Sequence, residues 1–181
     1  MRPSREAVVT ARPVRVECIP DGRPAELPAG TPAWITQALG TAFTLLVEGQ
    51  LMRLRGADAD AIGKPVPAAQ TMAAPEGPDG LRDLVWQTLK TCYDPEIPVD
   101  IVELGLVYGC DVKPMDDGRF RVAVTMTLTA PGCGMGEILA DEVCDKVLAL
   151  PQVGEAHVEM VFDPPWDRSR MSEAALLALG L

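Results

Sequence analysis

The residues best placed to do chemistry sit in one short segment, TAPGCGMGE, running from Thr129 to Glu137. Its cysteine, Cys133, follows Pro131 and is enclosed by Gly132, Gly134 and Gly136, and helical apolar spacing begins immediately after it. Glycines permit positive φ and close backbone approach, and the unpaired N–H groups at a helix start attract negative charge. A thiol placed there is favoured as thiolate, below its ordinary pKa of ~8.5. Such a thiolate is equipped to ligate metal, to attack an electrophile or to be oxidised.

A second constellation is DPEIPVDIVELGLVYG, which puts Asp94, Glu96, Asp100 and Glu103 within ten residues and stiffens the loop with two prolines. Carboxylates packed this closely can bind a hard cation, raise one another's pKa or meet a basic partner, and otherwise form a solvated acidic loop. The single histidine, His157, falls in a strand-like run on the side opposite Ala156, Val158 and Met160, and spacing does not link it to Cys133 as a dyad. Cys92 and Cys144 fall on apolar helical stripes and Cys18 and Cys110 in strands, positions that suit packing. Asp58 and Asp60 in ADADAIG imitate part of a calcium loop, but the closing Glu is missing.

Positioning these groups requires a small set of elements. Asp79 reads as the N-cap of a helix over 81–92, with Leu81, Leu84, Val85, Leu89 and Cys92 on one stripe, and Pro95 keeps the helix from continuing. Ile101 to Val112 reads as a strand. Arg119 to Thr129 reads as its neighbour, with Val122, Val124, Met126 and Leu128 on one face and Asp116-Asp117-Gly118 as the hairpin turn. A helix over about 135–150 follows, with Ile138, Leu139, Val143, Val147 and Leu150 buried, and then a strand from Val153 to Phe162. The order α-β-β-α-β predicts the α+β class, a small sheet with helices on one face. Ser172 caps a short last helix, and Trp166 and Met171 are candidates for the rim of a surface that meets a partner.

Upstream, VRVECI, LPAGT, FTLLVEG and LMRLRG alternate between turn signals, which predicts a small mostly-β N-terminal domain over 1–63, a barrel or meander, with ITQALG as a helical turn. The stretch 64–78, KPVPAAQTMAAPEGP, holds four prolines and four alanines in fifteen residues and reads as an extended linker to a second domain over 79–181.

Composition narrows the function classes. With 16 basic and 26 acidic residues the 181-residue chain carries −10, of which 76–181 contribute 8 basic and 19 acidic residues, so nucleic acid and anionic lipid are poor partners. No run reaches the ~18 apolar residues of a spanning helix, and the start lacks a secretory apolar segment, so a cytoplasmic home is expected. Five scattered cysteines without a CxxC pair encode neither a disulfide framework nor a zinc ribbon.

Three long motifs, DPEIPVDIVELGLVYGCDV, MTLTAPGCGMGEILADEV and FDPPWDRSRMSEAALLALGL, together closely resemble the SufT family of iron–sulfur cluster assembly proteins, over about 79–181. The run from Ile19 to Gly63 also resembles a leader domain of that family. The resemblance implies a non-enzymatic accessory factor that assembles iron–sulfur clusters or delivers them to client apoproteins. In it Cys133 matches the single motif cysteine and candidate cluster ligand, Thr129, Pro131, Gly132, Gly134 and Gly136 shape the loop around it, and Asp94 and Glu96 match the acidic motif. One thiol cannot complete the four ligands usual for such clusters, so a cluster would be held transiently, bridged across a homodimer, or shared with the assembly machinery or a client. An adaptor that binds clients without metal, or a thiol redox enzyme using Cys133, are the alternatives. PaaD-like relatives differ in carrying a cysteine-rich C-terminal segment, and no cysteine follows Cys144 here. No GxxxxGK[ST] occurs, which excludes a fused P-loop ATPase.

Overall fold

The computed structural model describes residues 5–66, 77–94, 97–130 and 134–181 and divides into two compact units, the first running mainly to Gln70 and the second from Thr71. Most of the expected linker, 67–76, lies outside the described residues.

Alternation builds the first unit. Six strands, β1 (Glu6–Val9), β2 (Val14–Cys18), β3 (Pro24–Leu27), β4 (Pro32–Leu39), β5 (Ala42–Val47) and β6 (Gln50–Arg55), form one antiparallel sheet in the order β1-β4-β5-β6-β2-β3. Val14 and Val16, Leu27, Ile35, Leu45 and Val47, and Leu54 turn to one side, where Ala61 and Ile62 of a 3-10 turn over Gly56–Ile62 complete the core. ITQALG is not a helical turn: it lies in β4, where Ile35 pairs with Glu6 on one side and Leu45 on the other. Those two neighbours satisfy its backbone more fully than an isolated turn would. Asp58 and Asp60 hold no calcium-type loop, because both carboxylates face Arg12, at 2.8 and 2.7 Å.

The second unit opens with α1 (Gly77–Leu89), which begins inside the stretch expected to be linker. Asp79 therefore sits in the first turn, paired with Arg82 at 2.9 Å, and is not the cap. Leu81, Leu84, Val85 and Leu89 form the buried stripe, whereas Cys92 lies beyond the helix end yet is fully buried. The strand expected from Ile101 starts only at β7 (Val107–Pro114). Residues 101–105 instead make a turn, with Leu104 N donating to Asp100 O and Gly105 N to Val102 O. Ile101, Leu104 and Leu106 are all fully buried, so this segment lacks the two-sided exposure that alternation reads.

β8 (Phe120–Met126) pairs antiparallel with β7 through the Asp116-Asp117-Gly118 turn, and β9 (Val153–Met160) pairs parallel with β8. A parallel pair needs a crossover, and α2 (Met135–Leu148) supplies it. Helices α1 and α2 cover the face carrying Val122, Val124 and Met126, whose burial contributes about 1.5–3 kcal/mol each. Arg121, Glu155, His157 and Glu159 stay exposed. Ser172 caps α3 (Glu173–Leu179) as expected, its Oγ accepting from Ala175 N at 3.1 Å. The order is α-β-β-α-β with a sheet in each unit, an α+β chain. Among the described residues no helix is long and apolar enough to cross a membrane.

Candidate functional site

The motif segment runs from the end of β8 to the start of α2. At the strand end, Val161 N donates to Met126 O at 2.9 Å and Thr127 N donates to Leu106 O at 2.8 Å, which fixes the exit between Leu106 and the end of β9. Thr129 follows, half-buried in a bend. Pro131, Gly132 and Cys133 lie outside the described residues. On the far side Gly134 is the N-cap of α2, at φ −61° and ψ −17°, without a side-chain cap, so the first-turn N–H groups are not taken by a capping side chain. Neither Gly134 nor Gly136 uses the positive φ open to a glycine. Gly136 serves close approach: a Cβ there would stand 2.5 Å from Leu128 Cδ1.

Thr127 marks the same strand exit. It is 1% exposed, and its Oγ1 has no hydrogen-bond partner among the described residues, an arrangement that costs about 1–3 kcal/mol for a buried hydroxyl. Sequence reading passed over it, because a threonine in a TLT run gives no local signal of burial.

The other thiols of this unit are poor thiolates. Burial pushes the Cys110 thiol up to about 11, and burial followed by Asp145 and Asp141 raises that of Cys144. Cys92 is buried outright and Cys18 is buried in the first unit. His157 is exposed beside Ala123, on the sheet face away from the helices.

The acidic constellation separates by role. Asp100 accepts from Val102 N and Glu103 N, both at 3.0 Å, and so caps the 101–105 turn, while burial raises its pKa. Glu103 is held below the usual carboxylate range by the Ser172 hydroxyl and by Lys90, whose Nζ lies 3.3 Å away. Asp94 is buried at 9% exposure next to the bridge between Tyr93 and Asp100. Glu96 lies outside the described residues. Among the described residues no group of three or more His, Cys, Asp or Glu side chains could hold a metal ion.

The tail after β9 is fastened to this same turn. Trp166 Nε1 donates to Leu104 O at 2.8 Å, Tyr108 Oη donates to Pro164 O at 2.9 Å, and Ser172 N donates to Glu103 O at 2.8 Å. The Arg170 guanidinium stacks 4.4 Å from the centre of the Tyr108 ring. Gly105, at φ +69°, abuts the Arg170 backbone so tightly that a Cβ would come within 2.2 Å of Arg170 O. Of the two expected partner contacts, Trp166 is half-buried, whereas Met171 is buried and presents little to a partner. Tyr108, Gly105 and Arg170 escaped the sequence reading, since nothing in the spacing announces a contact across sixty residues.

Residues 82–158, which run from within α1 to most of β9, match the family model described as iron-sulfur cluster assembly protein. The chain is 42% identical over 103 residues to the Fe-S protein maturation auxiliary factor YitW of Bacillus subtilis, a match covering 57% of this chain and 97% of that one. It is 42% identical over 88 residues to the Fe-S protein maturation auxiliary factor SufT of Staphylococcus aureus, covering 49% of this chain and 96% of the relative. A crystal structure of a domain of unknown function, DUF59, from Bacillus anthracis is 39% identical and covers 57% of this chain and 94% of its own, with a TM-score of 0.49. Each match takes in nearly the whole relative and about half of this chain. The extent of these matches, nearly end to end in relatives at 42% identity, places this chain in the iron-sulfur cluster assembly protein family.

Proposed function

We propose that the chain is a non-enzymatic cytoplasmic accessory factor in iron–sulfur protein maturation, which holds a cluster in transit and passes it to client apoproteins with Cys133 as its thiolate. The observation that carries the reading is the 42% identity to a named maturation factor across 97% of that factor's length. Position 133 falls two residues before α2, whose first-turn N–H groups, with a glycine at the N-cap, would favour a thiolate. The described cysteines do not compete for that role, since two have thiols raised by burial and two are buried. The cluster is cargo. With one motif thiolate against the four usual ligands, the remainder must come from a second copy, the assembly machinery or the client, and incomplete ligation makes release easy. In this reading Thr129, Pro131, Gly132, Gly134 and Gly136 are the motif residues around Cys133, and Asp94 and Glu96 are the acidic motif that serves docking, Asp94 from a buried position.

The test is anaerobic reconstitution with iron and sulfide, wild type beside Cys133→Ser, followed by absorption and Mössbauer spectra after desalting. A cluster retained only by wild type is expected. Equal client maturation by Cys133→Ser would refute the thiolate role. The fastened tail supports a second reading, an adaptor that recruits clients without metal, for which Cys133→Ser would be fully active and Glu96→Lys defective.

A further inference from the structure

Residues 76–181 hold 19 acidic side chains against 8 basic ones, a surplus that should leave no cation without a partner. Six of the eight are paired: Arg82 with Asp79, Lys90 with Glu103, Lys113 with Asp111, Arg119 with Asp117, Arg121 with Glu155 and Lys146 with Glu142. Arg168 and Arg170, two residues apart in one turn of the tail, pair with no carboxylate among the described residues. Asp167, the nearest acid in sequence, accepts at Oδ1 from Ser169 N at 2.8 Å and from the Ser169 hydroxyl, and feels the Arg170 charge only at a distance, without an ion pair.

Arg170 is also held in place. Its backbone is seated on Gly105, its guanidinium lies on the Tyr108 ring, and that ring is anchored through Pro164 O. Met171 is buried and Ser172 is bonded to Glu103, so the chain is fixed on the following side as well. Beside the arginine is an open pocket of about 470 Å³ lined by Gly105, Val107, Tyr108, Pro164 and Arg170. A stacked guanidinium keeps its N–H edge free, and that planar edge matches a carboxylate better than a point cation would.

We infer that this pocket binds one carboxylate side chain from an extended segment of a partner protein, with Arg170 taking the carboxylate and Val107 and Pro164 taking the aliphatic groups that flank it. One arginine serves one charge. The unit's charge of −11 repels free di- and tricarboxylates, phosphates and nucleic acid, whereas a single acidic residue between apolar neighbours brings little charge beyond what Arg170 neutralises. The opening along one side suits a segment passing over the pocket. The inference gives the docking chemistry of the tail and rests on the proposed function only for the identity of the partner as a client.

The full chain is titrated with N-acetyl-Val-Glu-Val-amide, with the same peptide carrying Gln for Glu, and with free glutarate, following the arginine Nε–H signals by NMR. The Glu peptide is expected to saturate and to shift the Arg170 signal. The Gln peptide and the Arg170→Ala protein should each bind about tenfold more weakly or worse, a loss in keeping with a charge-assisted, bidentate contact. Arg170→Lys should fall between, and Arg168→Ala should bind within about twofold of wild type, because only charge is lost there. Arg170 is exposed, so its truncation leaves the fold to be verified by unchanged circular dichroism. Equal binding of the Glu and Gln peptides, absence of saturation, wild-type affinity in Arg170→Ala, or glutarate binding as tightly as the peptide would each overturn the inference. Cluster reconstitution in Arg170→Ala should match wild type, which separates failure here from failure of the thiolate reading.

Discussion

Gly105→Ala tests how the tail is held. Two costs are built into the position. At φ +69° an alanine meets the left-handed penalty of about 1–2 kcal/mol. The new Cβ would also stand 2.2 Å from Arg170 O and 2.7 Å from its carbonyl carbon, and backbone cannot swing aside as a side chain does. The segment 163–172 must lift. Lifting forfeits the bonds from Trp166, Tyr108 and Ser172, at about 1 kcal/mol each, and uncovers Met171, at about 1.5–3 kcal/mol, while the released segment regains some freedom. Gly118→Ala is the control, because Gly118 has φ +81° but no atom within 4 Å of its Cβ position. Urea denaturation followed by circular dichroism should show Gly118→Ala costing about 1–2 kcal/mol and Gly105→Ala about 2–4 kcal/mol more. Hydrogen exchange should show the Ser172 amide losing protection in Gly105→Ala while β8 and α2 keep theirs. Equal costs for the two variants, or a Ser172 amide still protected in Gly105→Ala, would refute the reasoning.

Thr127→Val removes a buried hydroxyl that has no partner among the described residues, so denaturation should find it neutral or up to about 1 kcal/mol more stable; a loss above that size would mean the hydroxyl has a partner. Cys110, with its thiol pushed up to about 11, should resist iodoacetamide at pH 8 in mass-spectrometric mapping of the native chain and gain reactivity only as the pH approaches that value. Glu103 has a lowered pKa in the fold, so its contribution is present above the unfolded carboxylate value and is lost as the pH falls through the folded one. Glu103→Gln should therefore lower stability at pH 7 and flatten the loss of stability below pH ~4.5, and unaltered acid denaturation would show that Ser172 and Lys90 do not hold the carboxylate.

What the sequence disclosed and what it hid divide along physical lines. Asp116-Asp117-Gly118, the alternation of Val122, Val124 and Met126, and the cap at Ser172 were legible because each is decided by residues within a turn or two. ITQALG misled because its pairing with Glu6 on one side and Leu45 on the other is set by residues elsewhere in the chain. Ile101, Leu104 and Leu106 misled for the opposite reason, since a segment buried on every side has no periodicity to read. Of the candidate site, the strand and the helix that flank the motif were legible from spacing, while Cys133 itself lies outside the described residues. The unpaired Thr127, the clamp at Gly105 and the stacked Arg170 could not, because each depends on which distant segment arrives beside it.

The crossover between β8 and β9 also dictates an order of events during synthesis. The β7–β8 hairpin is local and can close as soon as it leaves the ribosome, but β9 cannot pair until α2 has been made and has turned the chain around. The tail comes later still: Pro164 lies 56 residues beyond Tyr108 and Trp166 lies 62 beyond Leu104. Until those late residues arrive, the turn at Gly105 stands uncovered. Closure over this turn is thus a late event in the life of each nascent chain, and a ribosome stalled anywhere before residue 164 would display a hairpin and a helix without the pocket that Pro164 and Arg170 help to line.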